Sequence, residues 1–111
     1  MLAMGRIDHS GRVGDRQLIA ALGWQSEDAY DLAVSADGLL VSLDPAGPFR
    51  INIRGHVFIP AATRRVLCVK AGDSLVLLAR PEHGTLAVHP TSMVTALLAR
   101  HHTAPAASRD H

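Results

Sequence analysis

The stretch that decides the fold is GHVFIPAATRRVLCVKA, residues 55–71. Residues 57–59 form a short apolar run that is typical of a strand. Pro60 fits the first position of a following helix, because the N–H that proline lacks has no intrahelical partner there and its φ is already helical. A Gly-Asp turn at residues 72–73 leads into a second apolar run at 75–79. The predicted order is therefore strand, helix, turn and strand.

The helix predicted in this stretch has one apolar side and one charged side. Val66 and Leu67 lie on the apolar side, and we expect Arg64 and Arg65 to stay in solvent. The single cysteine of the chain, Cys68, follows on an apolar stretch, which favours a buried thiol. One cysteine excludes a disulfide within the chain and suits a reducing cytosol.

The order and spacing of these residues resemble the AbrB/MazE/SpoVT-type swapped-hairpin DNA-binding domain. The pattern is Gly-x-Val-x-Ile-Pro-x-x-x-Arg-Arg-x-Leu from residue 55, followed by the Gly-Asp turn and two short strands, and the resemblance covers residues 49–90. Two positions depart from it: His56 stands where such proteins often carry Arg or Lys, and Cys68 where the helix usually ends in Gly. The resemblance implies a β-rich fold (all-β or α+β), a swapped-hairpin β-barrel closed by two interleaved copies, and binding to duplex DNA.

Length and hydropathy limit the class of protein. With 111 residues and few aromatic side chains, the sequence predicts one domain, or two very small ones, with an aliphatic core. Residues 1–12 lack the apolar segment of a signal peptide, and the longest apolar run, 75–79, is far too short to cross a bilayer. We therefore expect a cytoplasmic protein with no membrane partner.

Charge is distributed unevenly along the chain. Residues 1–48 contain three arginines and seven acidic residues, whereas residues 49–111 contain eight Lys or Arg and three acidic residues. A basic half indicates an anionic partner, although two solvated faces of opposite sign would give the same composition. Composition alone leaves both interpretations open.

The sequence also contains an internal repeat. RIDHSGRV at residues 6–13 recurs 44 residues later as RINIRGHV at 50–57, with Arg, Ile, Gly and Val identical. We interpret this as a duplication, with a degenerate AbrB-like repeat at residues 1–46 and a better-matched AbrB-like DNA-binding repeat at 47–90. The two copies are expected to pair either within one chain or between the chains of a homodimer.

Each repeat is expected to contain one short helix and several short strands. Asp15 is a good N-cap for the first helix, and Gly23 a natural residue just past its end. The predicted strands lie near residues 6–8, 30–35, 39–43, 49–53, 57–59, 75–79 and 86–89, and the predicted helices span about 15–22 and 60–67.

Two further segments follow the repeats. Residues 91–102 are predicted to form a C-terminal helix, whose apolar stripe is expected to cover the barrel or a subunit contact. Residues 103–111 lack core-forming side chains and are expected to form a disordered tail. The stripe consists of Met93, Val94, Leu97 and Leu98.

The candidate DNA-binding residues are cationic side chains of the hairpin and the short helix. The resemblance implies that arginines in these places contact the DNA backbone and base edges. Guanidinium groups bind phosphate oxygens, or guanine O6 and N7, in a bidentate manner, and phosphate contacts make affinity salt-dependent. The alternative is that Arg64 and Arg65 only form the solvent-exposed face of a helix. The candidates are Arg50, Arg54, His56, Arg64 and Arg65 in the second repeat, with Arg6 and Arg12 in the first.

The first repeat lacks part of this cationic set. Ser10 stands opposite Arg54, and Ala20 and Ala21 are aligned with the Arg64-Arg65 pair. The hypothesis is that the first repeat is mainly a structural partner and that DNA is contacted asymmetrically.

The sequence predicts neither an enzyme nor a metal or cofactor site. The adjacent pair His101-His102 points to different sides of a helix, and no Cys/His spacing suits zinc. We therefore predict a sequence-specific, duplex-DNA-binding transcriptional regulator of AbrB-like type. The alternative is an antitoxin-like or adaptor protein whose main ligand is a toxin-like partner protein.

Overall fold

In the computed structural model, residues 1–91 are described, and they contain eight strands and two short helices. The β-rich class predicted from the sequence is confirmed. Apart from Thr91, the predicted C-terminal helix (91–102) and tail (103–111) lie outside the described residues. The elements are β1 (Leu2–Arg6), β2 (Arg12–Gly14), α1 (Arg16–Ala21), β3 (Ala29–Ser35), β4 (Gly38–Leu43), β5 (Phe49–Arg50), β6 (His56–Phe58), α2 (Ala61–Leu67), β7 (Ser74–Arg80) and β8 (Thr85–Pro90).

The strands form a curled antiparallel half-barrel and a separate ribbon. The six-stranded half-barrel sheet has the order β1-β7-β8-β4-β3-β5, and β2 and β6 pair as a two-stranded antiparallel ribbon. Only the pairs β3–β4 and β7–β8 join strands that are neighbours in the same half of the chain. The pairs β1–β7, β3–β5, β4–β8 and β2–β6 each join the first half to the second. The two halves of this single chain therefore pair with each other.

The core is aliphatic, as the composition predicts. Ile7 and Ile51 are both fully buried, and Val13 lies opposite Val57 in the ribbon. Trp24 also belongs to the core and is only 7% exposed. The remaining buried hydrophobic side chains include Leu18, Ile19, Leu39, Val41, Ile59, Leu67, Val69, Leu75, Leu77, Leu86 and Val88.

Tyr30 ties the half-barrel to the ribbon. Its side chain is fully buried, and its hydroxyl oxygen accepts a hydrogen bond of 2.7 Å from the Phe58 backbone N–H. The ring stacks on Phe49 with 5.5 Å between the ring centroids. Burial raises the pKa of Tyr30, so the hydroxyl keeps its proton and stays uncharged in the core.

Replacing Tyr30 with phenylalanine tests this link. The substitution leaves the aromatic packing intact but removes the acceptor for the Phe58 N–H, which would then be buried without a partner. We expect the free energy of unfolding to fall by about 1–3 kcal/mol. Urea denaturation of the wild type and of Tyr30→Phe measures this change in the free energy of unfolding. An unchanged midpoint would show that water or a shifted backbone replaces the hydroxyl.

Helix α1 begins and ends as the sequence predicts. The Asp15 carboxylate accepts hydrogen bonds from the Gln17 N–H at 2.8 Å and the Leu18 N–H at 3.1 Å, which satisfies two unpaired groups of the first turn. Gly23 follows the helix with a φ of +74°, a left-handed conformation that suits glycine.

The start and faces of helix α2 correct three expectations. Pro60 is the N-cap, with a ψ of 155°, and not the first helical residue. Leu67 is buried as expected, but Val66 is 66% exposed and Arg64 is half-buried, whereas Arg65 is exposed. Pro60 lies outside the helix, and the apolar face of the helix is centred on Leu67. The side of the helix that carries Arg64 is partly covered by the rest of the protein.

The thiol of Cys68 is exposed, so the prediction of a buried thiol is wrong. Cys68 has a φ of +58° and ends helix α2 in the left-handed conformation that glycine usually supplies. This conformation reverses the chain direction and places Leu67 and Val69, on either side, in the core. The apolar character of this stretch therefore comes from the buried side chains of Leu67 and Val69 and not from burial of Cys68.

Candidate nucleic-acid interface

The loop of residues 8–12 joins β1 to β2 through a tight turn. The Asp8 carboxylate oxygen Oδ1 accepts hydrogen bonds from the Ser10 and Arg12 backbone N–H groups, both at 2.9 Å. Gly11 has a φ of +87°, which a side chain would rarely adopt. The strand predicted near residues 6–8 lies instead at Leu2–Arg6, and Asp8 begins the turn that follows it.

The loop of residues 52–56 repeats this turn in the second half. The Asn52 amide oxygen Oδ1 accepts from the Arg54 N–H at 3.0 Å and from the His56 N–H at 2.9 Å. Gly55 has a φ of +75°. Asn52 therefore does in this loop what an aspartate does in the first, and it ends the strand that was predicted to reach residue 53.

Each loop lies against the helix of the other half. A Cβ atom added to Gly11 would lie 3.1 Å from the Cζ atom of Arg64 on α2. A Cβ atom added to Gly55 would lie 3.4 Å from the Cα atom of Arg16 and 3.8 Å from the Cγ1 atom of Ile19, both on α1. Both loops and both helices therefore lie around the β2–β6 ribbon.

The contacts of the two helices can be compared with the correspondence that the sequence predicts, which aligns residues 20–21 with the arginine pair 64–65. In the structure, Ile19 lies against the 52–56 loop and Arg64 against the 8–12 loop. Ile19 is buried, whereas Arg64 is half-buried.

The outer face of the ribbon brings together two predicted residues from different halves. Val13 and Val57 are buried beneath the ribbon, whereas Arg12, His56 and Phe58 are half-buried on its outer side. The Cζ atom of Arg12 lies 5.6 Å from the centroid of the Phe58 ring, a cation–π contact that fixes the guanidinium in place. The ribbon therefore presents a positioned arginine beside a histidine.

Helix α2 and the 52–56 loop add three further cations. Arg54 and Arg65 are exposed. Arg64 is half-buried, and its Nε atom is buried without a hydrogen-bond partner among the described residues. A buried donor without an acceptor costs stability, whereas the exposed guanidinium groups of Arg54 and Arg65 are open to a ligand.

Arg16 is a candidate that sequence reasoning missed. It is exposed in the first turn of α1 and lines a recess of about 240 Å³ together with Trp24, Asn52, Ile53 and Gly55. Its position beside the 52–56 loop depends on pairing between the halves, and no local pattern in residues 15–22 carries that information.

The structure does not bring Arg50 to this group. Its Nη1 atom donates to the Glu27 carbonyl oxygen at 3.1 Å. Arg50 also lines a cavity of about 380 Å³ with Glu27, Asp28 and Asp44, so its surroundings are acidic. Arg6 is exposed at the end of β1. The predicted residues that surround the ribbon are Arg12, Arg54, His56, Arg64 and Arg65.

The carboxylate of Asp8 gives the 8–12 loop a pH dependence. Hydrogen bonds from the Arg12 N–H and from Ser10 lower the pKa of Asp8 from 3.8 to about 2. Because the folded pKa is the lower one, the ionised carboxylate stabilises the fold above about pH 4, and this contribution is lost as the pH falls from about 4 to about 2. Asn52 makes the equivalent bonds without titrating.

Replacing Asp8 with asparagine should remove this pH dependence. We expect Asp8→Asn to keep the turn, as Asn52 does, and to lose less stability than wild type when the pH is lowered from 4 to 2. Denaturation midpoints at the two pH values measure the difference. Equal losses in both proteins would show that the Asp8 carboxylate does not stabilise the folded loop.

Comparisons with protein-family models, curated proteins and solved structures find no match for this chain. Neither helix in residues 1–91 is long and apolar enough to span a membrane. The same residues contain no group of three or more His, Cys, Asp or Glu that could hold a metal ion.

Proposed function

We propose that this protein is a sequence-specific, duplex-DNA-binding transcriptional regulator of the AbrB-like swapped-hairpin type, with both copies of the domain in one chain. The observation that carries the proposal is the group of cationic side chains around the β2–β6 ribbon. Both halves of the chain contribute side chains to this group. The arrangement of these cations therefore depends on how the two halves pair.

The pairing of the strands supports the swapped-hairpin interpretation. The first strand of each half leaves its own half, since β1 pairs with β7 and β5 pairs with β3. The strands β2 and β6 pair with each other, and so do β4 and β8. This exchange of strands agrees with the interleaving that the resemblance implies and so supports the proposal.

Matched turns support the duplication. Besides the turns at Asp8 and Asn52, a second pair recurs 45 residues apart in the chain. The Asp28 carboxylate accepts from the Gln25 N–H at 2.8 Å, and the Asp73 carboxylate accepts from the Lys70 N–H at 2.8 Å. Shared hydrogen bonds at equivalent places are the expected remnant of two copies of one unit.

Charge around the ribbon favours a polyanion. The carboxylates of Asp8 and Asp15 are engaged by backbone N–H groups, whereas the exposed arginines of the loops and helices face solvent. Arginine forks match phosphate oxygens, and phosphate contacts supply most of the non-specific affinity for DNA.

The two halves are not equivalent in this proposal. In the sequence, Ser10 stands opposite Arg54 and two alanines are aligned with the arginine pair 64–65, so the second half supplies more DNA contacts. Alanine at Arg64 and Arg65 should therefore weaken DNA binding more than alanine at Arg6 and Arg12. Equal losses in the two double variants would contradict the asymmetry and leave DNA binding itself in place.

Fluorescence anisotropy tests the proposal directly. The wild-type protein is titrated, at several salt concentrations, into a labelled duplex from the region upstream of its own gene and into a scrambled duplex. We expect tighter binding to the native duplex and an affinity that falls steeply with salt. Absence of binding at low salt by a folded protein would overturn the proposal and direct the search to a toxin-like protein partner.

A further inference from the structure

The outer face of the half-barrel sheet carries a continuous apolar row. The strand registers place Leu2 beside Leu78, Leu78 beside Ala87, Ala87 beside Leu40, and Leu40 beside Ala33. Leu2 is 68% exposed and Leu40 is 38% exposed. One apolar residue from each of five neighbouring strands therefore lines up across this face.

A second row lies beside the first, two residues away along each strand. Met4 lies beside Val76, and Val76 beside His89. Met4 is 59% exposed, and Val76 is half-buried although no described element covers this face. The first row forms one contiguous apolar group with Met4 and Val76, and contiguous exposed apolar groups mark contact sites.

The chain leaves the described fold next to this patch. The Thr91 hydroxyl donates to the Ser74 carbonyl oxygen at 3.1 Å, which holds the end of β8 beside the start of β7. His89, in the second row, is only two residues before this point. Residues 92–111 therefore begin at the edge of the patch.

We propose that the C-terminal segment of residues 92–102 folds back over this face and covers it. Successive rows on one face of a strand are about 6.8 Å apart, since each residue rises about 3.4 Å. On a helix, residues four apart are separated by about 6 Å along the axis. The sequence-predicted stripe, Met93 and Val94 followed by Leu97 and Leu98, therefore matches the spacing of the two rows.

The position of the chain exit favours this occupant over a second copy of the protein. A segment attached at Thr91 is present at a high effective concentration beside the patch and needs only a turn after Pro90 to reach it. A second copy must instead offset the loss of translational and rotational freedom on association. The proposal is independent of DNA binding, because it concerns the sheet and not the ribbon.

Cysteine cross-linking in the full-length chain tests the proposal. The variant Leu40→Cys/Leu98→Cys is prepared with Cys68→Ser, so that the exposed native thiol does not react. The matched control is Ile53→Cys/Leu98→Cys in the same background, because Ile53 is 83% exposed on the 52–56 loop. Circular dichroism checks that both variants keep the wild-type spectrum.

We expect Leu40→Cys/Leu98→Cys to form a disulfide within one chain under mild oxidation, independently of protein concentration. It should form at least about tenfold faster than in the control, as the higher effective concentration requires. Cross-linking between chains would overturn the proposal in favour of a second copy on this face. Cross-linking no faster than in the control would also overturn it.

Discussion

Replacing Arg64 and Arg65 together with alanine is expected to weaken binding to the native duplex by roughly 10- to 100-fold at physiological salt. If each guanidinium contacts a phosphate, the slope of log affinity against log salt should also fall by about two. Arg65 is exposed, and Arg64 is half-buried next to it on α2. Both arginines lie on the helix beside the ribbon, where the proposal places DNA.

Single variants separate binding from stability. Arg65→Ala should lower DNA affinity and leave the free energy of unfolding unchanged, because the side chain lies in solvent. Arg64→Ala should lower both, because its guanidinium packs on Gly11. The matched control is Arg80→Ala, which removes an exposed arginine at the end of β7. An equal loss of affinity in Arg80→Ala would show that net charge, and not the ribbon surface, determines binding.

Much of the local structure could be predicted from the sequence because it depends on local chemistry. The Asp15 cap, the glycine after α1 and the alternating apolar strands each follow from neighbouring residues. The errors at α2 arose where tertiary contacts override local preference. Cys68 takes a left-handed conformation because Leu67 and Val69 on either side are buried, and burial is not visible in a local pattern.

Part of the candidate site could also be predicted from the sequence. Arg54, His56 and Arg65 were predicted because the resemblance implies DNA contacts by cationic residues of the hairpin and the short helix. The contributions of Arg16 and Ile19 depend on which half of the chain each loop contacts, and that exchange leaves no local signal. Arg50 was also predicted as a DNA-binding residue. In the structure it lies instead beside Glu27, Asp28 and Asp44 of the other half.

The prediction with the largest expected effect on the fold concerns Gly14, where the two strands of the ribbon meet. A Cβ atom at Gly14 would lie 2.5 Å from the Gly55 carbonyl oxygen and 2.8 Å from the His56 Cα atom. Both neighbours are backbone atoms, so neither can move without separating β2 from β6. Gly14→Ala should therefore lower the free energy of unfolding by about 1–3 kcal/mol or more.

Because this ribbon joins the halves of the chain, Gly14→Ala should also reduce DNA affinity under conditions where the variant remains folded. Gly5→Ala is the matched control. Its Cβ atom would lie 2.9 Å from the Val13 Cγ2 atom and 3.0 Å from the Leu77 Cδ1 atom, which are ends of side chains. Side-chain ends shift at a lower cost than paired backbone, so Gly5→Ala should cost less stability than Gly14→Ala. Urea denaturation and the anisotropy assay measure both variants, and equal effects would show that close packing of the ribbon does not distinguish Gly14.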